Sequence, residues 1–207
     1  MTSKIKVDQI ENSNGSGDVA FTGTNGIKLD TIKSSNGTTA LTVDSSGRIL
    51  QPAKPAFACH MDREVVADFS SMTTIPFNAI EFQQGGTNLV ISGSGDTTGA
   101  TFTAPITGAY QFNFVVNIYG ADTSWNSVYL YIDNAQVNDK NGSASHNMTY
   151  RTLDNSGQGL TNGYQSLGGS HVISLNANQT VKPRILTSGE SSSQLQMGSR
   201  FSGFLIG

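Results

Sequence analysis

The stretch Tyr110-Gln111-Phe112-Asn113-Phe114-Val115-Val116-Asn117-Ile118 constrains the fold more than any other. Tyr110, Phe112, Phe114, Val116 and Ile118 fall on one face, Gln111, Asn113 and Asn117 on the other, and Val115 alone is out of step. That period of two is a strand with one face to bury and one face turned away from the core. Strands of the same character are predicted at 57–66, 79–82, 89–92, 99–103, 128–132, 171–175, 180–185 and 200–206. Gly85-Gly86, Gly93-Ser94-Gly95, Asn141-Gly142, Asn162-Gly163 and Gly168-Gly169 read as the turns between them. Many short strands with such punctuation indicate a sandwich or jelly roll.

Composition narrows the alternatives. Only 13% of residues are charged, while Ser, Thr, Asn and Gly together fill 86 of 207 positions. Such a chain lacks the Ala, Glu, Leu and Lys of a helical bundle. With 12 Lys and Arg and a net charge of −3, it lacks the basic surface of a nucleic-acid binder. Regular apolar clusters argue against disorder. No apolar run is long enough for a membrane-spanning helix, so no membrane insertion is expected. The stretch Met1-Thr2-Ser3-Lys4-Ile5-Lys6-Val7-Asp8 lacks the apolar segment of a secretory signal, and Cys59 stands alone. Synthesis in a reducing cytoplasm is the expectation.

An internal repeat opens the chain. Ile5-Lys6-x-Asp8-x-Ile10-x-x-Ser13-Asn14-Gly15 returns 22 residues later as Ile27-Lys28-x-Asp30-x-Ile32-x-x-Ser35-Asn36-Gly37. Val19-Ala20-Phe21 and Leu41-Thr42-Val43 then follow, so each copy reads as strand, Asn-Gly turn, strand. Isolated hairpins are marginal in water and call for neighbours to stack on. Residues 1–50 are therefore assigned to a β-repeat stem and 51–54, with Pro52, to a stiff connector. Residues 55–207 form the head. Residues 1–54 carry six bases against five acids, which lets several copies pack side by side without self-repulsion.

The head resembles the complement C1q/TNF-like globular heads. Gly99-Ala100-Thr101-Phe102-Thr103-Ala104-Pro105-Ile106-Thr107-Gly108-Ala109-Tyr110-Gln111-Phe112 looks like the family signature. Pro55-Ala56-Phe57-Ala58 resembles its opening strand and Val128-Tyr129-Leu130-Tyr131-Ile132-Asp133-Asn134 a middle strand. Arg200-Phe201-Ser202-Gly203-Phe204-Leu205-Ile206 resembles the closing strand. The resemblance implies an all-β, ten-stranded jelly roll associated as a homotrimer. It departs at Asn176-Ala177-Asn178-Gln179, where a Gly-Asp turn is expected, so no acidic or calcium-binding feature carries over there. The collagen stalk of animal members is replaced by the β-repeat stem, which looks like the N-terminal part of tailed-bacteriophage fibres and head-decoration proteins.

Catalytic chemistry is not nominated. His60, His146 and His171 have no metal-ligand neighbour at helical spacing, and no Cys-x-x-Cys or phosphate-binding loop occurs. The acids of the head are scattered, with no carboxylate pair marked out for glycoside hydrolysis. The expectation is a non-enzymatic protein without metal or cofactor, with Cys59 a small core or interface hydrophobe.

Two sets of residues are candidates for contact. Tyr119, Asp122, Trp125 and Asn126, in the segment 119–126, combine aromatic rings with polar groups suited to stacking and hydrogen-bonding a sugar. They serve equally to close the end of the sandwich or to face a neighbouring subunit. Tyr129 and Tyr131, alternating with aliphatic residues in 128–132, are the candidate trimer interface, or else simply cover the sheet. Together these readings predict a trimeric short fibre of a tailed-phage virion. Its partners are itself, phage capsid or tail proteins through residues 1–50, and a host surface glycan or protein through the head; nucleic acid is excluded. It belongs on the virion surface. The alternatives are a capsid decoration or head-fibre protein that stabilises the shell, and a soluble bacterial C1q-like binder.

Overall fold

A computed structural model describes residues 30–93, 99–120, 126–132, 135–136, 164–187 and 193–207. They contain strands and turns and no helix. Two compact units divide the chain, Met1–Gln51 and Pro52–Gly207.

In the first unit β1 (Thr31–Lys33), β2 (Thr39–Val43) and β3 (Ile49–Leu50) form an antiparallel three-stranded sheet. Its two turns share one design. Gly37 N–H donates to Ser34 O and Ser34 N–H to Thr38 O, both at 2.9 Å; Gly47 and Asp44 repeat this with Asp44 O and Arg48 O at 2.9 and 3.0 Å. Gly37 and Gly47 take φ of +84° and +78°, the left-handed position that closes a three-residue hairpin loop. The expected two-residue Asn-Gly turn is thus one residue longer. Asn36 instead accepts the Thr38 N–H at 3.0 Å, the local hydrogen bond for which asparagine is favoured in turns. Ile32 faces Leu41 and Val43 faces Ile49 across the ladders, so one face carries four apolar side chains. Ile32, Val43 and Ile49 remain exposed. The first copy of the repeat lies outside the described residues.

The second unit is a sandwich of two antiparallel sheets. Its front sheet has the order β5-β15-β10-β16-β4-β7, with β13 on the other edge of β10. These are β4 (Ala56–His60), β5 (Val65–Ala67), β7 (Ala79–Gln84), β10 (Gly108–Tyr119), β13 (Tyr164–Leu175), β15 (Ser193–Leu195) and β16 (Arg200–Leu205). The back sheet runs β12-β11-β14-β9-β8, with β6 also on β14. It comprises β6 (Thr73–Thr74), β8 (Leu89–Ser92), β9 (Gly99–Thr103), β11 (Asn126–Ile132), β12 (Ala135–Gln136) and β14 (Thr180–Thr187).

The alternation in β10 does what the sequence demanded. Tyr110, Phe112, Phe114, Val116 and Ile118 are buried, and Val115 is exposed on the outer face. Phe112 sits among Phe57, Phe102, Tyr110 and Phe201, with ring centroids 6.3, 5.7, 6.3 and 5.9 Å away. Phe102 comes from the back sheet and stacks on Phe57 of the front at 4.8 Å, so aromatic contacts join the layers. The Tyr110 hydroxyl donates to Ile106 O at 2.8 Å, giving its buried oxygen a partner beside the 105–108 turn. Gly203 lets β16 lie directly on Phe57 and Phe112; a Cβ there would stand 2.7 Å from each ring.

One turn assignment fails. Gly168 and Gly169 lie inside β13, opposite Val115 and Phe114. The ladder from Gly108–Leu175 to Tyr119–Tyr164 is continuous, and its hydrogen bonds outweigh the weak strand preference of two glycines. The strand expected at 171–175 therefore starts at Tyr164.

Candidate functional site

The outer faces of the two sheets differ in chemistry. On the front sheet, Ala58 and Ser202 lie side by side with Phe82 on one flank and Asn113 and Ser170 on the other. Phe82 and Phe204 are 50% and 39% exposed, and Val115 and Val172 are also exposed. Gln111 Nε2 donates to Asn113 Oδ1 at 3.1 Å and to Ser170 Oγ at 3.0 Å, so its amide is already engaged. The ionisable side chains that β4, β7, β10, β13 and β16 place here are His60, Glu81 and Arg200. Glu81 Oε1 is 3.2 Å from His60 Nδ1 and 3.4 Å from Arg200 Nη1. The centre of this face is small and uncharged, with Ala58 beside the polar Ser202, Asn113 and Ser170.

The back sheet presents the opposite character. Tyr129 lies across from Arg184 and Tyr131 across from Lys182. The Arg184 guanidinium carbon stands 4.2 Å from the centre of the Tyr131 ring, a cation–π contact. Thr74 flanks Arg184 on the other side, and Thr180 pairs with Thr103 one step along the same face.

At one end of β10, Tyr119 packs against Tyr164 with centroids 4.8 Å apart and the rings tilted by 40°, and Tyr164 is 75% exposed. Gln194 faces Tyr119 from β15 and donates to Glu64 Oε2 at 2.5 Å.

No family model matches the chain, and no curated protein matches it. Solved structures do. The globular domain of zebrafish complement 1qA protein superposes with a TM-score of 0.50 and 16% identity, over 74% of this chain and 98% of that one. The head has the C1q-type jelly-roll fold. Eiger TNF from S. frugiperda matches at TM-score 0.45 and 11% identity, over 74% of this chain and 92% of that one. Murine APRIL matches at 0.44 and 11%, over 73% and 99%.

The expected contact residues are spread over this C1q-type head. Tyr119 is at the end of the front sheet, where its ring meets that of Tyr164. Asp122 and Trp125 lie outside the described residues. Asn126 opens β11 on the back sheet. Tyr129 and Tyr131 are half-buried on the outer back face, with Tyr131 committed to Arg184. Sequence reading passed over Tyr164, Lys182 and Arg184. A signal for the two cations was present in Thr180-Val181-Lys182-Pro183-Arg184-Ile185, where both fall on the same side of an alternating strand.

Cys59 is fully buried on β4, as expected of a small core residue. Burial, with a smaller push from the Glu81 carboxylate, raises its thiol from the ordinary 9.0 to about 12, against a lowering by the backbone hydrogen bond with Phe201. A thiol kept protonated in the folded chain contributes stability that is whole below pH 9 and is lost as pH climbs from 9 towards 12. Tyr110, also raised by burial, titrates in the alkaline range too, so Cys59→Ala is the variant that isolates the thiol. Its urea midpoint should fall less steeply between pH 9 and 11 than that of the parent. An aromatic disulfide reagent at pH 8 should label Cys59 only after denaturant is added. Rapid labelling of the folded chain would contradict the burial.

Proposed function

We propose that this chain is a non-enzymatic structural protein of a tailed-phage virion, a trimeric short fibre. Residues 1–50 anchor it to the particle and the C1q-type head projects outward to attach to the host surface. The observation that carries this reading is the outer face of the front sheet. The exposed Phe82, Phe204, Val115 and Val172 share one sheet face with Ala58 and the uncharged polar Gln111, Asn113, Ser170 and Ser202, and Glu81 sits there between His60 and Arg200. Exposed patches of this kind mark association sites. A three-fold arrangement, which the C1q resemblance implies, covers that face in every copy at once. Self-association likewise supplies mates for the apolar face of Ile32, Leu41, Val43 and Ile49 in the stem. The Tyr129 and Tyr131 face suits the axis less well, because Lys182 and Arg184 would bring like charges together there.

Light scattering of the full chain should give three times the chain mass. Phe82→Lys with Phe204→Lys should shift it to monomer while keeping the β-sheet circular dichroism. A monomeric parent, or a trimer indifferent to these changes but lost in Tyr129→Lys with Tyr131→Lys, overturns the interface. Gold-labelled antibody against the head, imaged on intact virions, tests placement and role. Label on the tail together with blocked adsorption supports attachment. Label on the capsid with adsorption unchanged makes the chain a decoration protein.

A further inference from the structure

The outer face of the back sheet has a feature that neither the fold nor trimerisation uses. Lys182 and Arg184 are two residues apart on β14 and so project from the same side of the sheet. Both are half-buried. Each ion pair among the described residues involves other groups, so neither cation has a carboxylate within ion-pair distance there. Arg184 Nε is buried without a hydrogen-bond partner, so part of the guanidinium has given up water and gained only the Tyr131 ring in return. Two neighbouring like charges in a partly desolvated place repel each other, in a chain whose net charge is −3. An anion seated between them relieves that repulsion.

The surroundings specify what kind of anion. Tyr129 is directly across from Arg184 and Tyr131 directly across from Lys182, so each cation is paired with an aromatic residue. Thr74, Thr103 and Thr180 bring hydroxyl groups to the same face. Aromatic surface, hydroxyls and one or two fixed cations are the groups that recognise a sugar ring bearing an acidic substituent. A nucleic acid is not matched, since a binder that makes about 6–10 phosphate contacts brings as many cations.

We infer that the outer back face around Tyr129, Tyr131, Lys182 and Arg184 is a binding site for an acidic polysaccharide, with the two cations holding a carboxylate or phosphate substituent and the tyrosines packing on the sugar. The inference rests on the reading of the head as an attachment module and names what it attaches to. Association through the front sheet leaves this face turned away from the three-fold axis in all three copies. Sites that are individually weak then act together on a repeating polymer.

The test uses the full chain and three immobilised polymers: polygalacturonate for the carboxylate, a phosphomannan for the phosphate, and dextran as the neutral control. The parent should be retained on at least one acidic polymer and not on dextran. Lys182→Gln and Arg184→Gln should each weaken that binding by about tenfold or more, as expected for loss of a hydrogen bond to a charged group. Arg184→Lys should keep part of it. Absence of retention on both acidic polymers, equal retention on dextran, or undiminished binding in the double variant overturns the inference. The oligomeric mass of every variant is read in parallel. A trimer that has lost the polymer separates failure of the site from failure of the assembly, and blocked adsorption without acidic-polymer binding leaves attachment standing while removing this ligand.

Discussion

Phe112→Ala should lower the unfolding free energy of the head by about 3–5 kcal/mol, the largest loss expected from any single core truncation here. The ring is fully buried and is the one that touches Phe57, Tyr110 and Phe201 of the front sheet together with Phe102 of the back sheet. Removing it forfeits the transfer free energy of the ring and leaves a cavity between layers. The walls of that cavity are other rings already locked against one another, so little collapse can offset the loss. Each aromatic pair forgone adds about 0.5–1.5 kcal/mol beyond the buried area. Urea unfolding followed by circular dichroism measures this, with parent and variant at the same protein concentration because association couples to stability. Val90→Ala on the outer back face, where the side chain is exposed, should change stability by about 0.5 kcal/mol or less. If Phe112→Ala costs no more than Val90→Ala, Phe112 is not the joint between the sheets.

The reason Phe112 could be singled out from sequence is that its environment is local in pattern. Alternation alone separates the buried Tyr110, Phe112 and Phe114 from the exposed Val115. The closing strand was similarly legible, because Phe201, Gly203 and Leu205 face inward and Arg200, Ser202 and Phe204 outward at a period of two. What alternation does not contain is partnership. Gly168 and Gly169 look like a turn until the long ladder with β10 is known, and Thr73–Thr74 and Ser193–Leu195 are too short to show any period. The contact surfaces fail to show for the same reason. Tyr129 gains its meaning from Arg184, and Phe82 from Ala58, and these neighbours are made by strand pairing across intervening chain. The aromatic and cationic residues were each visible; that they share a face was not.

Gly203→Ala should cost about 1–3 kcal/mol, by overpacking, the opposite of the Phe112 cavity. The new Cβ would lie 2.7 Å from Phe112 Cδ1, 2.7 Å from Phe57 Cε1 and 2.9 Å from Phe112 Cε1. Both rings are buried and held by further rings, so neither can swing away, and the strain must pass into β16 or the aromatic cluster. Gly203 is not among the residues at positive φ, so the backbone itself accepts alanine and the whole cost is steric. Gly47→Ala provides the converse case. Its φ is +78° with nothing within 4 Å of the new Cβ, so its cost is conformational, about 1 kcal/mol, and falls on the hairpin sheet of the first unit. A double-mutant cycle separates the two mechanisms. Phe112→Leu removes part of the ring that the new methyl meets, so combining it with Gly203→Ala should cost less than the sum of the single changes by about 0.5 kcal/mol or more. Gly47→Ala combined with Phe112→Leu should be additive. Strict additivity for the Gly203 pair would mean that the Phe-Ser-Gly-Phe glycine serves the strand backbone rather than the rings beneath it.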